Sequence, residues 1–551
     1  MHPSLLISEI VVEILKLIRA RNRKGDLVAL ALTCRAMLEP SLDALWCDIR
    51  SFDILIRLLP AKVLGNLVDW GTVDDLRELD SGTGTDSVGT FDAVGFVCPL
   101  TSADWERFRF YAKRVKALHI FDKEYLAHGY GSKGIFRALN MHHSTQALLP
   151  HIAKLTWYVR DANDFTKLMP LCGPKLQQLS LIFSLVQYPR PPSEERMLWG
   201  SMILSNLKYS CPYLAEVCIY GEDTHEFKEH VIHVSYAICA LPHIRSFVSD
   251  KRVLDRAFRH LAVMPTLQKL CIYMWREELP SLLALPASHF QSLEDLELKD
   301  VSLDWAIEMF QTMRDQPLRR LKLIFSPHAD ERMEANSGNV LLTAPFHSFF
   351  QALHKYCDHK ALRTLVLRTR GFRPGSTVIK LETFRLLFAF GGLEMLELDV
   401  AVLLKQTFDN AFIEGLSSSC RKLKFLRLNC PYAWDQAGSA ITLDGLSPLA
   451  KYCPLLEVLD TDMELQQSTI PEAELRRTGD AGHAIAQNAH HLPRLQISMS
   501  QCPGEFHQVM AILQHIFPNM ADITAGSERY LNDSGRPFGW TRTALAPTQP
   551  I

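Results

Sequence analysis

Net charge is almost missing from this chain: 59 Lys and Arg face 61 Asp and Glu, a formal −2 over 551 residues. So even a balance argues against nucleic acid or an anionic membrane as the main partner. Long apolar runs are missing too. The longest uncharged one, Val231 to Ile244, contains His233, Pro242 and His243 and falls short of the roughly 20 residues a membrane helix needs. A signal peptide is not expected, because the first apolar segment carries Glu9 and Glu13 and has no small-residue cleavage site. The 13 cysteines are odd in number, scattered and mostly set in apolar patterns, which reads as free core thiols in a reducing cytosolic or nuclear compartment.

Catalytic signatures are equally sparse. No G-x-S-x-G elbow and no H-E-x-x-H pair occurs. The polar stretch Asp80 to Thr90 has glycines at 82, 84 and 89 but no Lys-Ser/Thr, and it reads as a surface loop. Three histidine groupings (His354/Cys357/His359, His225/His230/His233 and His490/His491) lack paired ligand doublets at zinc spacing. Cys357 is expected to plug core, and Cys34 sits on an apolar face, the opposite of an activated thiol's setting. Asp399, Asp460 and Asp462 near strand ends are expected to be exposed charges. No catalytic residue, cofactor or metal is therefore expected.

Helical patterning opens the chain. Ile7, Ile10, Val11, Ile14, Leu15, Leu17 and Ile18 recur in steps of three and four, with Glu9, Glu13 and Lys16 opposite. A charged turn over Arg19 to Asp26 breaks this run. A second apolar run holds Leu27, Leu30, Ala31 and Cys34, and a third, after Pro40, holds Leu42, Leu45 and Trp46. Three helices this short do not close an ample core alone. On pattern, they are either a cap on a larger domain or a docking module.

The stretch resembles an F-box, the module by which substrate receptors hold the Skp adaptor of Skp–cullin–F-box ubiquitin ligases. The matching residues are Ile7-x-Glu9-Ile10, Ile14-Leu15, Asp26-Leu27, Leu30 to Arg35 and Leu45-Trp46, with Ser8 where a proline is usual. It is most similar to the large F-box families of mushroom-forming fungi. The resemblance implies adaptor contact through Ile7, Ile10, Val11, Ile14, Leu15, Leu27, Leu30, Cys34, Leu45 and Trp46, with Trp46 as the main anchor, and a cullin reached through that adaptor.

Beyond it the chain is repetitive. An L-x-x-L-x-L core stands at Leu293/Leu296/Leu298 and recurs at Leu176, Leu267, Leu318, Leu362, Leu393 and Leu423. Weaker copies begin at Val115, Ile152, Leu214, Ile244, Leu456 and Leu492. Amphipathic stretches lie between, such as Arg252 to Val263, Trp305 to Met313, Phe349 to Tyr356 and Phe506 to Phe517. This is the leucine-rich-repeat signature, one strand and one helix per coil. The spacing varies, from the short step Ile244 to Leu267 to the long step Leu318 to Leu362, and an insertion is expected over Phe325 to Pro345.

The fold expected is α/β: a three-helix F-box-like module (1–50), a helical linker (51–112) with its loop near 80–90, an irregular right-handed leucine-rich-repeat arc (113–525) and a coil tail (526–551). A helix over Thr101 to Leu118 is expected to be capped by Thr101 or Ser102, with Glu106 pointing back. Positions flanking the leucines, among them Tyr273, Glu297, Arg368 and Arg427, are the candidates for holding a protein substrate, and their mixed charge suits a target of mixed charge. Two readings stay open: a substrate receptor, or a repeat scaffold whose first helices are only a cap.

Overall fold

A computed structural model describes residues 7–21, 23–60, 63–66, 94–96, 100–120, 139, 147–159, 167–183, 206–221, 228–274, 282, 285, 289–313, 316–326, 343–369, 381–400, 408–429, 440–462, 494–498, 512–513, 515–517, 522–525 and 543–544. The chain forms two compact units, Met1–Thr266 and Leu267–Ile551.

In the first unit the opening residues fold as α1 (Ser8–Ala20), α2 (Lys24–Thr33) and α3 (Arg35–Trp46). Val11 and Leu15 of α1, Leu27 of α2 and Met37 of α3 meet in a small core, flanked by Ile18, Leu30, Cys34, Ala44 and Leu45. One expectation changes here: α3 starts before Pro40 rather than after it. A proline there removes an intrahelical hydrogen bond. Glu39 and Asp43, on either side of it, are both clamped by Arg114, which holds this part of the helix from outside.

Directly after α3, β1 (Asp48–Ile49) enters a parallel sheet. The segment expected to be a helical linker is instead an insertion between two neighbouring strands. It holds α4 (Asp53–Ile56), an antiparallel hairpin of β2 (Leu64–Asn66) and β3 (Val94–Phe96), and α5 (Ser102–Ala112). The loop near 80–90 lies outside the described residues. Thr101 caps α5 as expected, but the reciprocal carboxylate is Asp104 at the third helical position, not Glu106. Trp105, Phe108, Ala112 and Val115 are all buried.

The sheet then continues through β4 (Ala117–His119), β5 (Lys154–Val159), β6 (Gln178–Phe183), β7 (Glu216–Gly221) and β8 (Ser246–Arg252), all parallel. Register sets Ile49, Leu118, Leu155, Leu179, Val217 and Phe247 in one buried row. The helices α6 (Lys228–Ala240) and α7 (Asp255–Ala262) belong to the same unit.

The second unit repeats the scheme with β9 (Lys269–Tyr273), β10 (Asp295–Val301), β11 (Arg320–Phe325), β12 (Thr364–Thr369), β13 (Met395–Asp399), β14 (Phe425–Asn429), β15 (Val458–Asp462), β16 (Arg494–Ser498) and β17 (Asp522–Ala525), again parallel. The coil expected after residue 525 includes β18 (Thr543–Ala544), antiparallel to β17. Every L-x-x-L-x-L core read from the sequence is a strand of one unit or the other. The middle leucines align as Leu270, Leu296, Leu321, Leu365, Leu396, Leu426 and Leu459, all buried. Each contributes roughly 1.5–3 kcal/mol of burial.

Between the strands run α8 (Leu303–Thr312), α9 (Thr343–Tyr356), α10 (Leu381–Arg385), α11 (Asn410–Ser419) and α12 (Ser447–Tyr452). Ser302 and Asp409 cap α8 and α11 by accepting from the N–H groups of Trp305 and Phe412. Edge-to-face rings stitch these helices to one another, running Phe310–Phe349–Phe350–Phe384–Phe412, and to β11 through Phe325 against Phe346 and Phe349. This is the stacked-neighbour logic of a repeat protein, in which each repeat covers the next. Most of the insertion expected over Phe325 to Pro345 lies outside the described residues.

Candidate functional site

Burial sorts the ten residues expected to meet an adaptor. Ile7, Ile10 and Ile14 are exposed. Val11, Leu15 and Leu27 are not: they are the module's own core and hold its helices together. Leu30, Cys34 and Leu45 are half-buried against that core. Direct contact by Val11, Leu15 and Leu27 is thereby corrected to support, since a small helical trio uses its best apolar residues on itself.

Five exposed apolar side chains of the three helices not among the ten are Val12, Leu17 (66% exposed), Val28, Leu32 (79%) and Leu38. Ile7, just before α1, and Ile10, Ile14 and Leu17 on it recur in steps of three and four, so they share one stripe beside the inward stripe of Val11, Leu15 and Ile18. The apolar face of α1 is wider than its core requires, and half of it is uncovered among the described residues. Exposed apolar surface grouped in this way marks an interaction site. The sequence carried the signal, because an apolar arc spanning both stripes exceeds what one small core can cover.

Trp46, the expected anchor, lies half-buried with its ring 4.4 Å from that of Tyr111 on α5. Beside it the buried Arg114 donates to Glu39, at 2.6 Å, and to Asp43, and its guanidinium lies over the Phe110 ring. Burial pushes the Arg114 pKa down, but these two carboxylates outweigh it and hold the guanidinium charged. Arg19 reaches Asp48 of β1 at 2.9 Å. These contacts, with the pairing of β1 and β4, join the three helices to the sheet.

On the second unit, the residues between and beside the leucines form cross-strand ion ladders. Register lines up Cys271, Glu297, Lys322, Val366, Glu397, Arg427 and Asp460 in one row. Lys322 meets Glu297 at 2.8 Å, Arg368 meets Glu397 at 2.8 Å, and Arg427 bridges Glu397 (3.3 Å) and Asp460 (2.5 Å). Burial pushes Glu297 up, but the Lys322 hydrogen bond and the charges of Lys322 and Lys299 carry it below the usual carboxylate value. Arg427 is driven down by burial and up, by more, by Asp460 and Glu397.

Of the four expected substrate-facing residues, Glu297, Arg368 and Arg427 belong to these ladders, and Tyr273 is a half-buried neighbour of Lys299 in register. Asp399 and Asp460, expected as exposed charges, are buried, and the neighbouring strand brings Arg427 over Asp460. The side chain of Asp462 is outside the described residues. Cys271 is buried, and burial and the Glu297 charge push its thiol up to about 12. His359 shares a hydrogen bond with the His354 carbonyl at 2.6 Å, next to a Cys357 that is only half-buried. Among the described residues no group of three or more His, Cys, Asp or Glu is placed to hold a metal ion, and no helix is long and apolar enough to cross a membrane.

These observations define an α/β strand-and-helix repeat protein with a three-helix head joined to its first strand. No protein-family model and no curated protein matches the chain. Among solved structures, the crystal structure of the Rad7 and Elc1 complex in yeast aligns over 76% of this chain and 79% of that chain, with 16% identity and a TM-score of 0.36. A likeness of that degree carries no argument about function.

Proposed function

We propose that this chain is the substrate-recognition subunit of a Skp–cullin–F-box ubiquitin ligase. Its three-helix head docks on a Skp-family adaptor, and its repeats hold a protein substrate. The observation that carries this reading is the uncovered stripe of α1, Ile7, Ile10, Ile14 and Leu17, on a module whose core is already closed by other residues. The F-box pattern of the same stretch says what would cover it. The chain's part in catalysis is positional: it raises the local concentration of target lysines near a partner's active site, with no catalytic residue of its own. A cytosolic or nuclear location goes with this role.

One observation favours the alternative, a repeat scaffold with a helical cap. The Arg114 clamp and the Trp46–Tyr111 contact bind the head to the sheet as a cap would be bound. Capture of a purified Skp-family adaptor by the full chain separates the two. The test pair is wild type and an Ile10→Asp, Leu17→Asp variant, both positions being exposed so that folding is retained. Capture by the wild type alone is expected. Capture by neither leaves the scaffold.

A further inference from the structure

The ion ladders of the second unit are layered, and the layering has a sign. Strands β11 and β12, with the residues just before them, carry the cations Arg319, Arg320, Lys322, Arg363 and Arg368 side by side. Their carboxylate partners sit on the two flanking strands: Glu294, Asp295 and Glu297 on the β10 side, Glu394 and Glu397 on the β13 side. In each pair the cation projects further than its partner. The Arg320 side chain is 61% exposed over an Asp295 that is 17% exposed, at 2.9 Å. Arg363 is 59% exposed over Glu394 at 28%, and Arg368 is 34% exposed over Glu397 at 2%. Beneath the stripe, Ile324 and Val366 form a buried apolar floor.

The face is therefore neutral by count and cationic by position. Carboxylates set lower than the cations restrain the guanidinium groups, so part of the side-chain freedom is already lost before an anion arrives. Screening over about 8 Å at physiological salt hides the stripe from a distance but not from a group in contact. The N–H groups that a guanidinium does not give to its floor carboxylate suit further carboxylates.

We propose that the stripe along β11 and β12 binds an acidic, Asp/Glu-rich segment of a partner protein in extended form. The segment lies over Arg319, Arg320 and Arg363, the most projecting cations, and reaches the lower Lys322 and Arg368. From the Arg319/Arg363 level to Arg368 the stripe spans roughly 17 Å at the strand rise, which matches about six extended residues. The proposal replaces the mixed-charge target expected from sequence, because half of that charge is floor. It rests on the reading of the repeats as a recognition surface and names the class of substrate.

The experiment is fluorescence anisotropy of the full chain with a labelled six-residue acidic peptide of alternating Glu, against a Gln counterpart and a single-stranded oligonucleotide. Binding of the acidic peptide is expected, weakening as salt rises. It should fall at least tenfold in an Arg320→Gln, Arg363→Gln variant and hold in a Lys208→Gln control from the first unit. Equal binding of the Gln peptide, no loss in the double variant, or preference for the oligonucleotide would each overturn the proposal. Adaptor capture is read separately. Peptide binding without capture sinks the ligase reading alone, and capture without peptide binding sinks only this one.

Discussion

Glu397 and Arg320 stand at opposite ends of what an ion pair is worth. Glu397 is buried between Arg368 and Arg427, so deleting its carboxylate removes the anion the two cations share and leaves Arg427 on Asp460 alone. Glu397→Ala is expected to cost roughly 1.5–3 kcal/mol in urea unfolding. Arg320 is largely in solvent, and Arg320→Ala should cost under about 1 kcal/mol by the same measurement. Equal losses would contradict the layering. The thiols give a second check. Burial pushes Cys271, Cys420 and Cys453 up to about 12. A raised folded pKa means the unfolded chain sheds those protons first. Stability from these sites is whole below the ordinary thiol pKa and falls as pH rises from about 9 towards 12. Thiol-reagent labelling at pH 8 should accordingly be slow for these three until the protein is unfolded. Rapid native labelling would contradict their burial.

At the scale of elements, one close approach is instructive. Asn410 of α11 donates to Thr442 at 2.8 Å and accepts from its N–H at 2.9 Å, and its side chain fills the space a Cβ on Gly445 would need. Gly445→Ala should therefore break this clasp between repeats and lower stability by about 1–3 kcal/mol, read as a lower Tm. Arg114 clamps α3 in the same spirit. Arg114→Met keeps the stem but removes the charge, and limited proteolysis should then cut sooner near residues 35–46. Unchanged cleavage would mean that the Trp46–Tyr111 contact and β1 suffice.

Much of this scale was legible beforehand. Each leucine triplet became a strand because a period of two with a fixed lead-in residue admits little else. What was not legible depended on distant partners. β1 is two residues long and exists because β4 lies beside it. α3 runs through Pro40, against its local preference, with Arg114 clamping the carboxylates on either side. Asp460 looked exposed because nothing near it in sequence announces Arg427, which arrives from the preceding strand. For the proposed docking residues, periodicity marked α1 as an amphipathic helix but could not tell which of its apolar stripes faces inward, since both have helical spacing.

At the scale of the molecule, the described residues divide the work. The first unit carries an apolar stripe joined firmly to a sheet, and the second carries a charged, largely pre-set strand face. A receptor needs both, one surface for the machinery and another for its target. The reading stands or falls on the first. The direct test is calorimetric titration of a purified Skp-family adaptor into the full chain, wild type and Ile14→Asp, Leu17→Asp, after circular dichroism shows equal helix content. The account predicts saturable binding by the wild type and a loss of roughly a hundredfold or more in the variant, as for two central apolar anchors. Binding that is undiminished in the variant, or absent from the wild type, would contradict it.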